Sequence, residues 1–214
     1  ARNGIVVGSG ITLSKDGDIF ATGISTFTSG RIDVSDAQFN TSVGTNAGDS
    51  FDGTTANNNT LIGYNAGTAI TGADDNTFVG YQAGDAVTTG QENTFVGRDC
   101  GGSTNTGRSN VAMGYETLLS NTTGNYNTAL GYEALRANTT ANDNTAVGRA
   151  SLRVNTTGDK NTSVGSYSLD ANTTGSHNTG VGYESLGANT TGSYNTAVGR
   201  YAARSNTTGE DNAA

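Results

Sequence analysis

The chain has 214 residues, 33% hydrophobic and 14% charged, with neither proline nor tryptophan; Gly (32), Thr (35) and Asn (25) dominate. An apolar share below the roughly 45–50% of ordinary globular domains excludes a large single core, and no apolar run approaches the roughly 20 residues of a membrane span, so no membrane insertion is expected. A net charge of −8 with only 11 Lys and Arg excludes a phosphate-binding surface for nucleic acid, and a single Cys excludes an internal disulfide framework.

Residues 1–39 form a region of their own. Ile11-Thr12-Leu13 and Ile19-Phe20-Ala21 flank Lys15-Asp16-Gly17-Asp18, which reads as two strands around an Asp-Gly turn. The expectation is a β-rich adaptor or N-terminal cap covering the first coil of the adjoining repeat region.

Residues 40–214 are a tandem repeat. Units begin at Asn40, Asn59, Asn76, Asn93, Asn110, Asn127, Asn144, Asn161, Asn178 and Asn195, and Asn212 begins an eleventh. Each step is 17 residues except the first, which carries two extra near Ser50 to Thr54. Numbering each unit 1 to 17, position 1 is always Asn, position 4 always aliphatic or Met, and position 5 always Gly. From Asn121 onward positions 12 to 14 read Asn-Thr-Thr. Charges are confined to positions 6, 7, 10, 16 and 17 and the early insertion, which are expected to face water.

Such a unit disfavours helices, because β-branched Thr and Val and a fixed Gly interrupt them. Positions 2 to 4 are expected to form a short strand ended by the Gly, and positions 7 to 11 a second one. Asn-Thr-Thr-Gly then turns the chain, Asn and Gly tolerating positive φ. Stacked coils pair backbone groups at about 4.8 Å per coil, so ten coils give a rod of roughly 48 Å. The fold class is all-β, a parallel β-solenoid or β-roll of 17-residue coils.

Two columns vary together. Position 3 is large where position 9 is Gly, as in Leu61 with Gly67, Phe78 with Gly84 and Phe95 with Gly101. Beyond Asn110 the sizes invert: Ala112 with Leu118, Ala129 with Leu135, Ala146 with Leu152, Ser163 with Leu169, Gly180 with Leu186. Volume-conserving exchange of this kind points to one shared space. Alternation along the strand places position 3 opposite positions 2 and 4, giving apolar material on two faces. The face carrying Phe78, Phe95 and the leucine column is expected to need cover from other copies of the chain.

No catalytic constellation stands out, and the chain reads as a non-enzyme without cofactor or metal. The single His, His177, lies in variable position 17, and Cys100 replaces a small residue at position 8. Acidic pairs such as Asp74-Asp75 and Glu210-Asp211 do not recur in every coil, as a calcium-binding solenoid requires. Clustered carboxylates of a glycan depolymerase are absent from the sequence pattern. Asn121, Asn138, Asn155, Asn172, Asn189 and Asn206 each open an Asn-Thr-Thr sequon for N-glycosylation, although a turn demanded by every coil explains them as well. Position 6 carries Tyr64, Tyr81, Arg98, Tyr115, Tyr132, Arg149, Tyr183 and Arg200, with Tyr167 and Tyr201 next to it at position 7. This stripe is a candidate surface for stacking on sugars, or a ladder that stabilises the coils.

The unit N-T-A-V-G-Y-x-A-L-x-x-N-T-T-G resembles the repeats of phage tail-fibre-like proteins, and more distantly the N-x-A-I-G repeats in the head of trimeric autotransporter adhesins. The resemblance spans residues 40–211; residues 4–24 also resemble segments that precede such repeats in phage fibres. It implies a left-handed parallel β-roll assembled as a homotrimer on a virion or cell surface. The period of 17 departs from the adhesin repeat of about 14. The leading expectation is therefore a trimeric shaft of a phage tail fibre or similar appendage in host-surface attachment. The alternative is a bacterial extracellular adhesin or self-assembling filament whose repeats bind a host-surface glycan or receptor, matrix, or the next subunit. End-to-end stacking through an open last coil is a further expectation.

Overall fold

A computed structural model of the chain describes residues 11–13, 19–21, 38–51 and 55–214. The chain divides into two compact units, Ala1–Asp33 and Val34–Ala214. In the first, β1 (Ile11–Leu13) and β2 (Ile19–Ala21) pair antiparallel, Thr12 opposite Phe20. The Asp16-Gly17 turn and the capping role expected of this region lie outside the described residues.

The second unit is a parallel β-solenoid. Strands β3 (Thr41–Val43) to β12 (Thr196–Val198) are each three residues long and occupy positions 2 to 4 of successive units. They form one ten-stranded parallel sheet in chain order. The register is like on like: Thr77 faces Thr94, Phe78 faces Phe95 and Val79 faces Val96. Thr196 also bridges to Ala213, so the eleventh unit begins in the same register. Each strand ends at the position 5 Gly, whose φ lies between about +130° and +145°. A Cβ there would collide with the carbonyl of the equivalent Gly in the next coil, as Gly80 against Gly97 illustrates.

The second strand expected at positions 7 to 11 does not form. Positions 6 to 11 are a run of turns, left-handed at positions 7 and 9, for example Glu133 at +54° and Leu135 at +51°. Alternation of hand keeps the chain curving while its N–H groups stay along the stacking axis. Gly97 and Asp99 donate to Val79 and Tyr81 of the coil before, at 2.8 and 2.9 Å; Gly101 and Ser103 donate to Thr117 and Leu119 of the coil after, at 3.0 and 2.8 Å. The ladder a strand would supply is thus present without a strand. Position 17 is also left-handed, from Asn58 to Asp211. No Val, Ile or Thr occupies any left-handed position among the described residues. A branched Cβ is what that conformation tolerates least.

Position 3 points inward, not toward a second wet face. Leu61, Phe78, Phe95, Ala129 and Ala146 are fully buried, together with Leu118, Leu135, Leu152, Leu169 and Leu186 at position 9. The two columns do share one space. A Cβ on Gly84 would stand 2.6 Å from the Phe78 ring, and one on Gly67 would stand 2.8 Å from Leu61. Phe78 and Phe95 stack with centroids 5.0 Å apart. Position 12 belongs to the same interior, which the paired columns alone did not reveal: Ile70 and Val87 accompany the large position 3 residues, and buried Asn accompanies the leucines from Asn121 on. Most aliphatic residues left outside are those of position 4, among them Val43, Ile62, Met113, Val164 and Val198; Val111 at position 2 and Phe39 before the first coil are also exposed. The coil therefore closes by itself around position 3, and the strand's outer surface is the one without cover.

Candidate functional site

The six sequon asparagines stand in a ladder inside the coil. Asn138 Nδ2 donates to Asn121 Oδ1 at 3.0 Å, Asn155 to Asn138 at 3.1 Å, Asn172 to Asn155 at 2.9 Å, Asn189 to Asn172 at 3.0 Å and Asn206 to Asn189 at 3.1 Å. The second proton of each amide goes to the carbonyl three residues on, as in Asn155 to Gly158 at 2.9 Å. Asn121, Asn138, Asn155, Asn172 and Asn189 have no exposed surface. None of these Asn has positive φ, so the turn rests on side-chain hydrogen bonding rather than on the left-handed backbone assumed for it. A glycan on any of the five would have to break the ladder.

Position 1 forms a second ladder. Asn93 donates both its backbone N–H and its Nδ2 to Asn76 Oδ1, at 2.9 and 3.2 Å, and its other amide proton to Gly107. The pattern runs from Asn40 to Asn212, except that at Asn144 only the backbone N–H donates, to Asn127, and the buried Nδ2 has no partner. A third ladder, partly exposed, joins position 16: Arg108 N–H to Asn125, Asn125 to Asn142, Asn142 to Asp159 and Asp159 to Ser176. Asp74, half of an acidic pair, belongs to it by accepting from Asn57 at 2.8 Å. No group of three metal-ligating side chains occurs among the described residues.

The residues with intrinsic reactivity are held in packing contacts. Cys100 is buried and its thiol approaches the Ala112 carbonyl at 3.2 Å. Burial pushes its pKa up to about 12, so the thiolate is suppressed. Ser151, Ser168 and Ser185 at the same position donate to the position 3 carbonyl of the next coil at 2.9 to 3.0 Å. His177 is exposed and stacks on Tyr194 with centroids 4.9 Å apart.

The Tyr/Arg stripe runs unbroken along the outside from Tyr64 to Tyr201, with Tyr167 filling the step at Ser166. Tyr64 stacks on Tyr81 and Tyr115 on Tyr132, both at 5.3 Å. Arg98 lies between Tyr81 and Tyr115, 5.5 Å from each ring, and Arg149 between Tyr132 and Tyr167. Arg200 covers Tyr183 and Tyr201. Stacking and cation–π contact along the rod give the stripe a structural role, each contact being worth roughly 0.5–1 kcal/mol at exposed sites. It also remains open to solvent: Tyr64, Tyr81, Tyr132 and Tyr183 are 40–48% exposed. Beside it run ion pairs between coils, Arg136 with Glu116, Arg153 with Asp170 and Arg204 with Glu184. Hydrogen bonds from Tyr115 and then Arg136 hold the Glu116 carboxyl below its ordinary range.

Near the end of the stripe lies a cleft of about 670 Å³, lined by Tyr167, Asp170, Tyr183, Glu184, Gly187 and Arg204, among others. The repeat pattern singles out Tyr183 with Tyr167 beside it, but not the other residues. A signal for them is nevertheless present: Gly187 stands at position 10, where Arg136, Arg153, Asp170 and Arg204 stand in neighbouring coils. Comparison of the chain with protein-family models, with curated proteins and with solved structures finds no match.

Proposed function

We propose that the solenoid is the shaft of a tail-fibre-like appendage on a virion or cell surface, a rigid spacer that sets a receptor-binding element away from its base. The observation that carries this reading is the commitment of each column to stacking. Three ladders, the interior and the Tyr/Arg stripe all join a coil to its neighbours, and the single His and Cys are held in packing contacts. The shaft is assembled from copies of the chain packed along the position 4 surface, where Val, Ile, Leu and Met recur at every coil. Only another solenoid of the same rise can match that row over ten coils. Likeness of the units to those of trimeric fibres supports three copies.

Deletion of Asn144 to His177 tests the spacer role. It removes two whole units, and the protein should stay folded and shorten by about 10 Å, two coils at about 4.8 Å each. Attachment by a complete fibre should survive it. Loss of attachment with normal folding would favour the second reading, an adhesin whose repeats bind glycan, for which the solvent-open tyrosines are the supporting observation.

A further inference from the structure

The repeat departs from itself where the coil does not require it. In three of the last five full units position 10 carries an arginine that reaches an adjacent coil, Arg136 to Glu116, Arg153 to Asp170 and Arg204 to Glu184. Gly187 carries no side chain at that place, and it lines the cleft together with Asp170 of the coil before and Arg204 of the coil after. At the other glycine of position 10, Gly102, Leu119 of the next coil comes within 3.1 Å of where its Cβ would stand. At Gly187 the three atoms nearest to where a Cβ would stand belong to Glu184 of its own coil, at 3.2 to 3.6 Å. Position 6 departs in the same place. Ser166 stands where other coils after the first carry Tyr or Arg, so toward that coil Tyr183 has no stacked ring or guanidinium from position 6 and meets Tyr167 in a T-shaped contact, at 6.2 Å and 83°. Arg200 lies over Tyr183 from the other side at 5.9 Å.

The geometry points to a binding cleft for one or two residues of a neutral oligosaccharide at Tyr167, Tyr183, Asp170, Glu184 and Arg204. Its volume falls within the roughly 300–1,000 Å³ of small-ligand sites. A pyranose presents an apolar C–H face and a rim of hydroxyls. The unstacked side of Tyr183 suits the first, and the carboxylates as acceptors with the guanidinium as donor suit the second. Charge decides the class. Asp170 pairs with Arg153 and Glu184 with Arg204, leaving no net positive charge. An acidic sugar would meet two carboxylates in a chain of net charge −8, and is rejected. The lining residues come from positions 6 to 13 of their coils and none from the position 4 row proposed for assembly. This site deepens the glycan-binding reading and is independent of the spacer role, which the deletion tests separately.

The test is titration of the full chain with chitotriose, cellotriose, maltotriose and mannotriose, with trigalacturonate as the acidic control, by calorimetry and by NMR. At least one neutral trisaccharide should bind with millimolar affinity or better, and trigalacturonate should not bind. Gly187→Arg restores the side chain of Arg136, Arg153 and Arg204 and fills the cleft; it should weaken binding by about tenfold or more without lowering thermal stability. Tyr183→Ser, which copies Ser166, should do the same, and Tyr64→Ser at the far end of the stripe should not. Absence of binding by all four neutral sugars, undiminished binding by Gly187→Arg and Tyr183→Ser, or preference for trigalacturonate would overturn the proposal. Equal losses in Tyr64→Ser and Tyr183→Ser would overturn it too, by spreading the binding over the whole stripe.

Discussion

Asparagine helps to hold the coils in register, and it does so from inside. Asn155 donates to Asn138 and Gly158 and accepts from Asn172. Asn155→Ala should strand the Asn138 oxygen and an Asn172 proton in a dry interior, costing about 1–3 kcal/mol for each group left unpaired. Asn142→Ala, in the partly exposed ladder, should cost less because water replaces the lost partner. Denaturant unfolding of both variants checks the order. Equal losses would mean that the interior ladder is wet. Glu116 gives the pH prediction. Its folded pKa is depressed, so its contribution is present above the ordinary Glu value and lost as pH falls through the folded value. Glu116→Gln should therefore flatten a small part of the acid-side loss of stability, about 1 kcal/mol or less for a pair whose guanidinium stays open to solvent.

At the scale of the coil, the period, the strand at positions 2 to 4 and the exchange between positions 3 and 9 were legible because each repeats a residue type at fixed spacing. The left-handed turns were not, because Asn, Glu, Leu, Tyr and Lys share positive φ without sharing chemistry. What they share is an unbranched Cβ, a signal visible only as the avoidance of Thr at positions 7, 9 and 17 in a Thr-rich chain. Glu133→Thr should accordingly cost roughly 1–2 kcal/mol, whereas Glu133→Asn should be nearly neutral. Equal stability of the two by thermal melting would contradict the backbone assignment. The inward face was illegible for a related reason: alternation separates two faces but does not say which is inside, and Phe78 and Val79 are both apolar. Ala129→Phe should overpack this interior by about 1–3 kcal/mol, and Leu135→Gly should recover part of the loss, as Phe78 and Gly84 do together. Additive losses in the double variant would contradict the shared space. The cleft was hidden because its residues come from three successive coils and matter through what Gly187 and Ser166 lack.

For the whole rod, stability is approximately a sum of coil and interface terms, since each coil touches mainly its neighbours. In the proposed assembly the position 4 surface adds an intermolecular term. Light scattering should return a multiple of 21.6 kDa. Leu130→Asp with Val147→Asp should shift the mass toward the single chain while leaving far-ultraviolet dichroism unchanged, because both side chains point outward. A folded wild-type species of 21.6 kDa would refute the assembly.

The hydrogen bonds between coils run along the rod, which gives it a particular mechanics. Tension between its ends loads the interfaces in series, so the weakest one sets the breaking force. One interface departs from its neighbours in packing, whereas the gap at Asn144 is a single unpaired amide in an otherwise regular stack. Between the coils beginning at Asn93 and Asn110, Phe95, Gly101 and Thr104 meet Ala112, Leu118 and Asn121, and the interior changes from one packing to the other. The buried Thr104 hydroxyl has no hydrogen-bond partner there, and the ladder rising from Asn121 starts without a rung beneath it. If the solenoid bears load as the proposed shaft, it should open first at this seam, near its middle. The coils on either side would stay intact, and the seam would act as a mechanical fuse.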